Sequence, residues 1–425
     1  MNWSDKDNEL IAAVEAGKAT NPQLFWDAIA EQFGCSPGAA FAAHKRLMTK
    51  AAQGTTEPLE SSEAAAYRIK IARQQSTIAD LTRENKALSK HGVTDDDLID
   101  RIDRHVTPLP YKPPTLAAGA KQGRKQTLFI VLSDWHFIQQ FTTEVVRDLG
   151  IYNLDIAHRR VWQLLGNTRS LIRDETTLNI IDKVVIFAVG DMGHGDIHNR
   201  SDGTNQASSA DATFIVADVL AQFVRWVHDV HPNVEVREDS GNHTRTQTDS
   251  KRQAPDRPED SWDAVSYRIA RRQLTEYVDS GEIKWEHNRA WGTHAEMSGL
   301  IVHAEHGNRI KSQLSLPYYG LRRLRAQLLE EYQAMGKTLS LGVSGHFHRV
   351  AYVDESKWIL NGSLVGRSPY DAQVGFPPSQ PCQVIGKIDK ESGELWRIEF
   401  MYLDIEPPPH GFELSEEARY ATQQP

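Results

Sequence analysis

The chain has 425 residues with 40% hydrophobic and 25% charged, proportions that exclude a disordered or fibrous polymer and leave room for two or three domains. A formal charge of -9 excludes a general attraction to polyanions, and because residues 1–126 carry 17 Lys and Arg against 16 Asp and Glu, the acidity lies in the remainder. No apolar run reaches the roughly 18 residues that span a bilayer, and the start MNWSDKDNEL lacks an export signal, so a cytoplasmic location and no membrane partner are expected. With only Cys35 and Cys382, neither a disulfide framework nor a thiolate zinc site is expected, and any metal falls to His, Asp and Asn.

Residues 1–52 read as three short helices, with Leu10, Ile11 and Val14, then Phe25, Ile29 and Phe33, then Ala39, Ala43 and Leu47 at helical spacing. Ser36 is placed to cap the third helix and Pro37 to fill its first turn, giving the size and layout of a helix-turn-helix unit. Residues 58–106 are helical. Within them Ile71, Ile78 and Asn85 fall seven apart, with Leu81 and Leu88 at the matching core positions, which fits a short coiled coil and a homodimer through residues 60–90. A solvated polar helix is the alternative, since Gln74 weakens one core position. Thr94 opens a short acidic helix, and the proline-rich stretch 107–126 is a linker.

Residues 127–405 alternate strands and helices, an α/β (α+β) pattern, and 406–425 form a C-terminal tail. Strands are expected at 127–132, 184–189, 233–239, 283–287, 299–304 and 338–343, and helices near 156–174, 208–230, 261–279 and 318–335, while 350–403 holds only strand-like runs.

Polar residues with metal-binding chemistry collect just after these strands. Asp134 and His136 follow the first, Gly190-Asp191 the second, Gly241-Asn242-His243 the third, His303 or His306-Gly307 a later one, and Gly345-His346-Phe347-His348 another. Ligands gather beyond the carboxyl ends of strands in open α/β sheets, so the five ends are expected to converge. Imidazole nitrogens with carboxylate or amide oxygens suit Mn, Fe, Zn or Ni, and a pair of such ions suits phosphoester hydrolysis. The glycine before each ligand lets the backbone come close to the ions. His194 and His198 read as solvated loop residues, with substrate contact the alternative.

These five segments, in this order over residues 128–362, resemble the calcineurin-like metallophosphoesterases, whose signatures run D-x-H, G-D, G-N-H, His and G-H-x-H. The resemblance implies a metallophosphoesterase β-sandwich core flanked by helices, and two divalent ions, Mn first. It implies that Asp134, His136 and His348 hold one ion, that Asn242, His306 and His346 hold the other, and that Asp191 bridges them. It also implies that His243 stabilises charge or protonates the leaving oxygen. His306 is favoured over His303 because Gly307 follows it. Thr244 stands where the family usually has an acidic residue, so either Asp239 or Asp249 orients His243 or that histidine is less strongly poised. Asn361-Gly362-Ser363-Leu364 resembles a segment that returns beside the metal site, with a tight structural turn as the alternative.

Trp3, Asp5, Asp7, Glu9, Leu10, Trp26, Ile29, Ala30, Ser36, Ala43 and Leu47 are similar to a Myb/SANT-like domain, and His44, Lys45, Arg46 and Lys50 could meet phosphates. A protein-interaction module is the alternative. Lys251, Arg252 and Arg257 add positive charge in the loop after His243. The layout also resembles phage-encoded members of the family, which would place the protein in a host cytoplasm. Together these point first to a metal-dependent nuclease acting on nucleic acid, DNA before RNA. The alternatives are a protein or nucleotide phosphatase with a helical partner-binding arm, and a non-enzymatic DNA-binding or assembly protein.

Overall fold

A computed structural model describes residues 31–32, 36, 39–40, 42–45, 106–115, 119, 122–195, 205–246, 259–312, 317–404 and 406–422. The chain divides into two units, Met1–Asp96 and Asp97–Pro425. In the first, the Ser36 hydroxyl accepts the Ala39 amide at 3.3 Å, so Ser36 caps a helical stretch as its side chain allows. Among its described residues Ala40 and Ala43 are buried and Ala39 is exposed, so Ala43 faces inward as expected and Ala39 does not. The coiled coil at 60–90, the acidic helix at 94–105, and Arg46 and Lys50 lie outside the described residues.

In the second unit the order is β1 (Lys125–Leu132), α1 (Leu154–Leu178), β2 (Ile180–Val189), α2 (Ser209–His228), β3 (Val234–Asp239), α3 (Trp262–Gln273), α4 (Thr275–Asp279) and β4 (Ile283–Trp285). It continues with β5 (Thr293–Met297), β6 (Leu300–Glu305), α5 (Tyr318–Ala334), β7 (Leu339–Ser344), β8 (Ala351–Val353), β9 (Trp358–Leu360), α6 (Pro369–Val374), β10 (Cys382–Asp389), β11 (Leu395–Tyr402) and α7 (Glu416–Thr422). These strands make two mixed sheets, β11-β10-β1-β2-β3-β4 and β5-β6-β7-β9-β8. Strands β1 to β4 run parallel, and β6, β7 and β9 do likewise in the second sheet.

β1 and β2 read as continuous apolar runs because both their faces are covered. Phe129, Val131, Val185, Phe187 and Val189 meet Val302, Ala304, Leu341 and Val343 of the other sheet. On the opposite face Leu128, Ile130, Leu132 and Ile186 pack under α1 and α2. Outside the second sheet, Leu321, Leu328 and Tyr332 of α5 cover Leu339 and Trp358. The result is a helix-sheet-sheet-helix sandwich, the core expected for residues 127–405.

Three segments differ from the sequence reading. Residues 350–403 hold a helix as well as strands: α6 starts at a capping box between Ser368 and Asp371 with Pro369 in its first turn, and it buries only Asp371, too little to produce an apolar period. The linker lies against its own unit, where Leu109 donates to the Gln273 carbonyl, Thr115 to that of Asp229, and the Lys112 amide to the Tyr277 hydroxyl. The tail packs too. Phe412 stacks on Trp226, and the Glu413 and Ser415 amides donate to Gln222 and Asp218 of α2. Among the described residues, no helix is long and apolar enough to cross a membrane.

β10 carries Lys387 fully buried, its ammonium donating to Glu175 at 2.8 Å and Glu399 at 2.9 Å. Burial pushes Glu175 up, but hydrogen bonds from Lys387, Gln126 and Asn179 outweigh it and hold this carboxyl below its usual range. Replacing Lys387 with Met keeps the volume and leaves Glu175 without its cation. Urea unfolding at neutral pH should show a loss of about 3 kcal/mol. That loss should shrink as the pH falls through the lowered Glu175 pKa, since a depressed carboxyl stabilises only while it is ionised.

Candidate metal centre

The five strand ends do converge, and they do so across the seam between the sheets. The loops after β1, β2 and β3 of the first sheet supply Asp134, His136, Asp191, Asn242 and His243, and those after β6 and β7 of the second supply His306, His346 and His348. Among the described residues three groups of donor atoms form: Asp134 with His136 and His348, Asp191 with His306 and His346, and His136 with His194 and His243; the first two contain a carboxylate. Each of these two joins a carboxylate of the first sheet's loops to imidazoles of the second's, His348 in one and His306 with His346 in the other, while His136 comes from the first sheet. Asn242 joins the second group, its Oδ1 lying 3.2 Å from His306 Nε2.

The backbone is bent to bring these residues in. Asp134, His136, Asp191, His346 and His348 all have left-handed φ, between 48° and 68°, a region that non-glycine residues enter at a cost. Cross-loop hydrogen bonds hold them there. Asp134 N donates to Gly190 O and His136 N to Asp191 O, both at 3.0 Å, and His346 N donates to the Asp134 carboxylate at 2.9 Å. The glycines have the expected use, since a Cβ at Gly241 would collide with the Asp191 carboxylate and one at Gly345 with that of Asp134.

The donor set fits divalent cations. His306 Nδ1 lies 2.9 Å from the Val189 carbonyl and donates to it, so Nε2 of the neutral ring carries a lone pair. That lone pair faces Asp191 Oδ2 at 3.0 Å and Asn242 Oδ1 at 3.2 Å. Three acceptors pointing at one another require a positive charge between them. In the other group His348 Nε2 stands 3.3 Å from Asp134 Oδ1 and 3.1 Å from His136 Nε2. Protonation follows the same demand. Burial lowers His306, yet the Asp191 carboxylate outweighs it and raises the ring to about 10, and Asp134 likewise raises His348 against its burial. Burial with His243 and His348 nearby lowers His136 well below its ordinary value, and burial with His306 lowers His346 to about 4. In each of these two groups a carboxylate thus favours the protonated form of one imidazole, at the place where the geometry favours a cation.

His303 points away from the site: its Nδ1 meets the Tyr332 hydroxyl at 2.9 Å and its Nε2 meets Glu305 at 3.3 Å. His306 is the histidine of this strand end that joins the donors. His194 is not the solvated loop residue the sequence implied. It is buried, its Nδ1 is 3.0 Å from His136 Nδ1, and its ring stacks on His243 at 4.8 Å. The His243 amide is held by Asp191 Oδ1 at 2.7 Å, and its ring stands edge-on to His136 at 4.8 Å. His198, Asp249 and the basic residues Lys251, Arg252 and Arg257 lie outside the described residues.

Asp239 binds the amides of His306 at 2.9 Å and Gly292 at 3.3 Å, and so braces the fourth segment, not His243. The sequence reading missed Asp263 altogether. From the first turn of α3 this buried carboxylate accepts the amides of Asp191 at 2.9 Å, Met192 at 3.1 Å and Gly241 at 2.9 Å, and the Thr244 hydroxyl at 2.7 Å. Thr244, in a position usually acidic in the resembled family, is a donor to this hub. One turn on, Tyr267 accepts the Gly190 amide and donates to the Asp239 carbonyl, both at 3.1 Å. The 361–364 segment also returns beside the site: Asn361 Nδ2 donates to Ser133 Oγ at 2.9 Å, and Leu364 N to the Asp134 carbonyl at 3.1 Å.

No family model matches the chain, and no curated protein matches it. Among solved structures it is similar to a predicted phosphoesterase from Streptococcus pneumoniae, 11% identical over 65% of this chain and 98% of that one, TM-score 0.26. A dimetal phosphatase from Danio rerio is 10% identical over 65% and 99%, TM-score 0.33. A purple acid phosphatase from yellow lupin is 11% identical over 68% and 56%, TM-score 0.28. Scores this low leave the functional reading to the site itself.

Two outcomes follow from this geometry. Asp263→Asn presents an amide where four donors need an acceptor, so calorimetry should show a stability loss of about 3 kcal/mol and metal affinity about 10- to 100-fold weaker. A metal ion competes with the His306 proton, so titration calorimetry in buffers of different ionisation enthalpy should record proton release on binding near neutral pH. The raised His306 pKa makes that proton stabilising below about 6.5 and lost as pH rises through about 10. Metal affinity should therefore climb across the same window.

Proposed function

We propose that the chain is a calcineurin-like metallophosphoesterase that cleaves nucleic-acid phosphodiesters, DNA first. The observation that carries the hydrolytic reading is the pair of acceptor-rich donor groups, each built across the sheet seam, with His194 and His243 stacked on one flank. Asp134, His136 and His348 would hold one divalent ion, Asn242, His306 and His346 the other, with Asp191 between them, and Mn is the first choice. When bound, such a pair polarises phosphoryl oxygens and lowers the pKa of a water.

The chain's own residues supply the rest. The Asp191 carboxylate pins the His243 amide, which positions the imidazole to protonate the leaving oxygen. His194 fixes the orientation of His136 through the Nδ1 contact and stacks against His243, so one ring supports both a metal ligand and the proton donor. Burial keeps His136 and His346 neutral, so each has a lone pair to offer an ion. The preference for a polymer rests on the Myb/SANT-like residues of the N-terminal unit, which would recruit nucleic acid, and on the 60–90 segment as a dimerisation helix.

Purified protein with Mn should be assayed on single-stranded DNA, duplex DNA, RNA and a generic phosphomonoester. Polymer cleavage is expected. Asp191→Asn should abolish it with loss of bound metal. His243→Ala should lower kcat about 10²- to 10⁴-fold with metal content intact. Phosphomonoester hydrolysis without polymer cleavage would establish the phosphatase reading instead, and no hydrolysis of any substrate by metal-loaded protein would leave a binding or assembly role.

A further inference from the structure

A second cleft, of about 380 Å³, opens between the loop at Leu149–Gly150, the Val365–Arg367 segment and the end of β11. That volume lies in the range of small-molecule sites. Two arginines line it. Arg160 is committed to its walls: its guanidinium donates to the carbonyls of Asp404 at 3.1 Å and Leu364 at 2.5 Å. Arg367 is different. It is 7% exposed, its Nε is buried with no hydrogen-bond partner, and among the described residues its guanidinium has no ion pair. The Asp404 carboxylate also lines the cleft, but among the described residues it forms no ion pair with Arg367, and its Oδ2 accepts the Gln163 amide at 2.7 Å.

A buried guanidinium Nε without an acceptor is unfavourable until an anion supplies one, and the planar fork matches a phosphate. The cleft is far larger than one oxyanion needs. Tyr402, 52% exposed, presents an aromatic face on its wall beside Leu403 and Pro381, a surface on which a base can stack. We propose that this cleft binds a nucleotide phosphate, with the phosphate on Arg367 and the base against Tyr402, as a site separate from the metal centre. The ligand is a 5′-nucleotide, free or at the end of a strand. The site stands independently of the hydrolase reading.

The test is titration calorimetry on the full chain, metal-free in chelator, with thymidine 5′-monophosphate, thymidine, succinate, and a short oligonucleotide with or without a 5′-phosphate. Saturable binding of the monophosphate is expected, about tenfold or more weaker in Arg367→Gln and unchanged in Asp191→Asn. Because Arg367 has no partner to lose, Arg367→Gln should keep or raise the melting temperature, whereas a structural arginine would lower it. Competition by the phosphorylated oligonucleotide alone assigns the site to strand ends, and its failure to compete assigns it to free nucleotides; both uphold the phosphate site. Equal binding of thymidine or succinate, full affinity in Arg367→Gln, loss of binding in Asp191→Asn, or absence of monophosphate binding would each overturn it.

Discussion

The whole centre depends on five non-glycine residues accepting a left-handed backbone at the ends of three strands. Each such residue costs on the order of 1 kcal/mol relative to ordinary conformations. What holds them is a set of bonds in which the side chain of one loop takes the amide of another, as when the Asp134 carboxylate accepts His346 N. Asp263 performs the same service for two further loops at once, collecting amides from both the Asp191 and Gly241 segments. The donors are thus positioned by the backbone of their neighbours, and a change in one loop is felt by the donors of the next.

Electrostatics and geometry agree at the site. The carboxylates are buried, which alone would push them toward the neutral acid. Instead the imidazoles next to them hold Asp191 well below its usual range. A core that keeps anions in a dry place must supply positive charge, and protons on His306 and His348 supply it in a form that a stronger Lewis acid can replace. Lys387 meets the same requirement far from the centre, with a permanent cation among Glu175 and Glu399. One buried charge set lies among imidazoles that can give up a proton to take a metal ion, and the other is an ammonium held between two carboxylates.

Much of this was legible in the chain itself. β1 and β2 announce themselves because burial on both faces favours apolar runs in them, whereas β3 carries four charged residues in six, and the glycines and ligand-type side chains directly after all three follow from close packing at strand ends. What stayed hidden has a common cause. Asp263 sits in the first turn of a helix with nothing in its neighbourhood to distinguish it from an ordinary capping acid, and its four partners come from elsewhere in the sequence. His194 looks like a loop histidine because its burial is created by His136 and His243, residues 58 positions before it and 49 after. α6 and β5 are too short for periodicity to register. Most of the N-terminal residues on which the expected nucleic-acid recruitment rests lie outside the described residues.

The arrangement across the seam has a consequence for how the molecule matures. His136 and His348 are 212 positions apart and belong to loops of different sheets, and neither the Asp134 group nor the Asp191 group is complete within one sheet. During synthesis, then, both groups stay incomplete until the chain has passed residue 348 and the loops of the second sheet have joined those of the first. Any cation held by both sheets would therefore bind late, after the two layers have docked. Such an ion would tie the layers together, so that separating them would require giving it up.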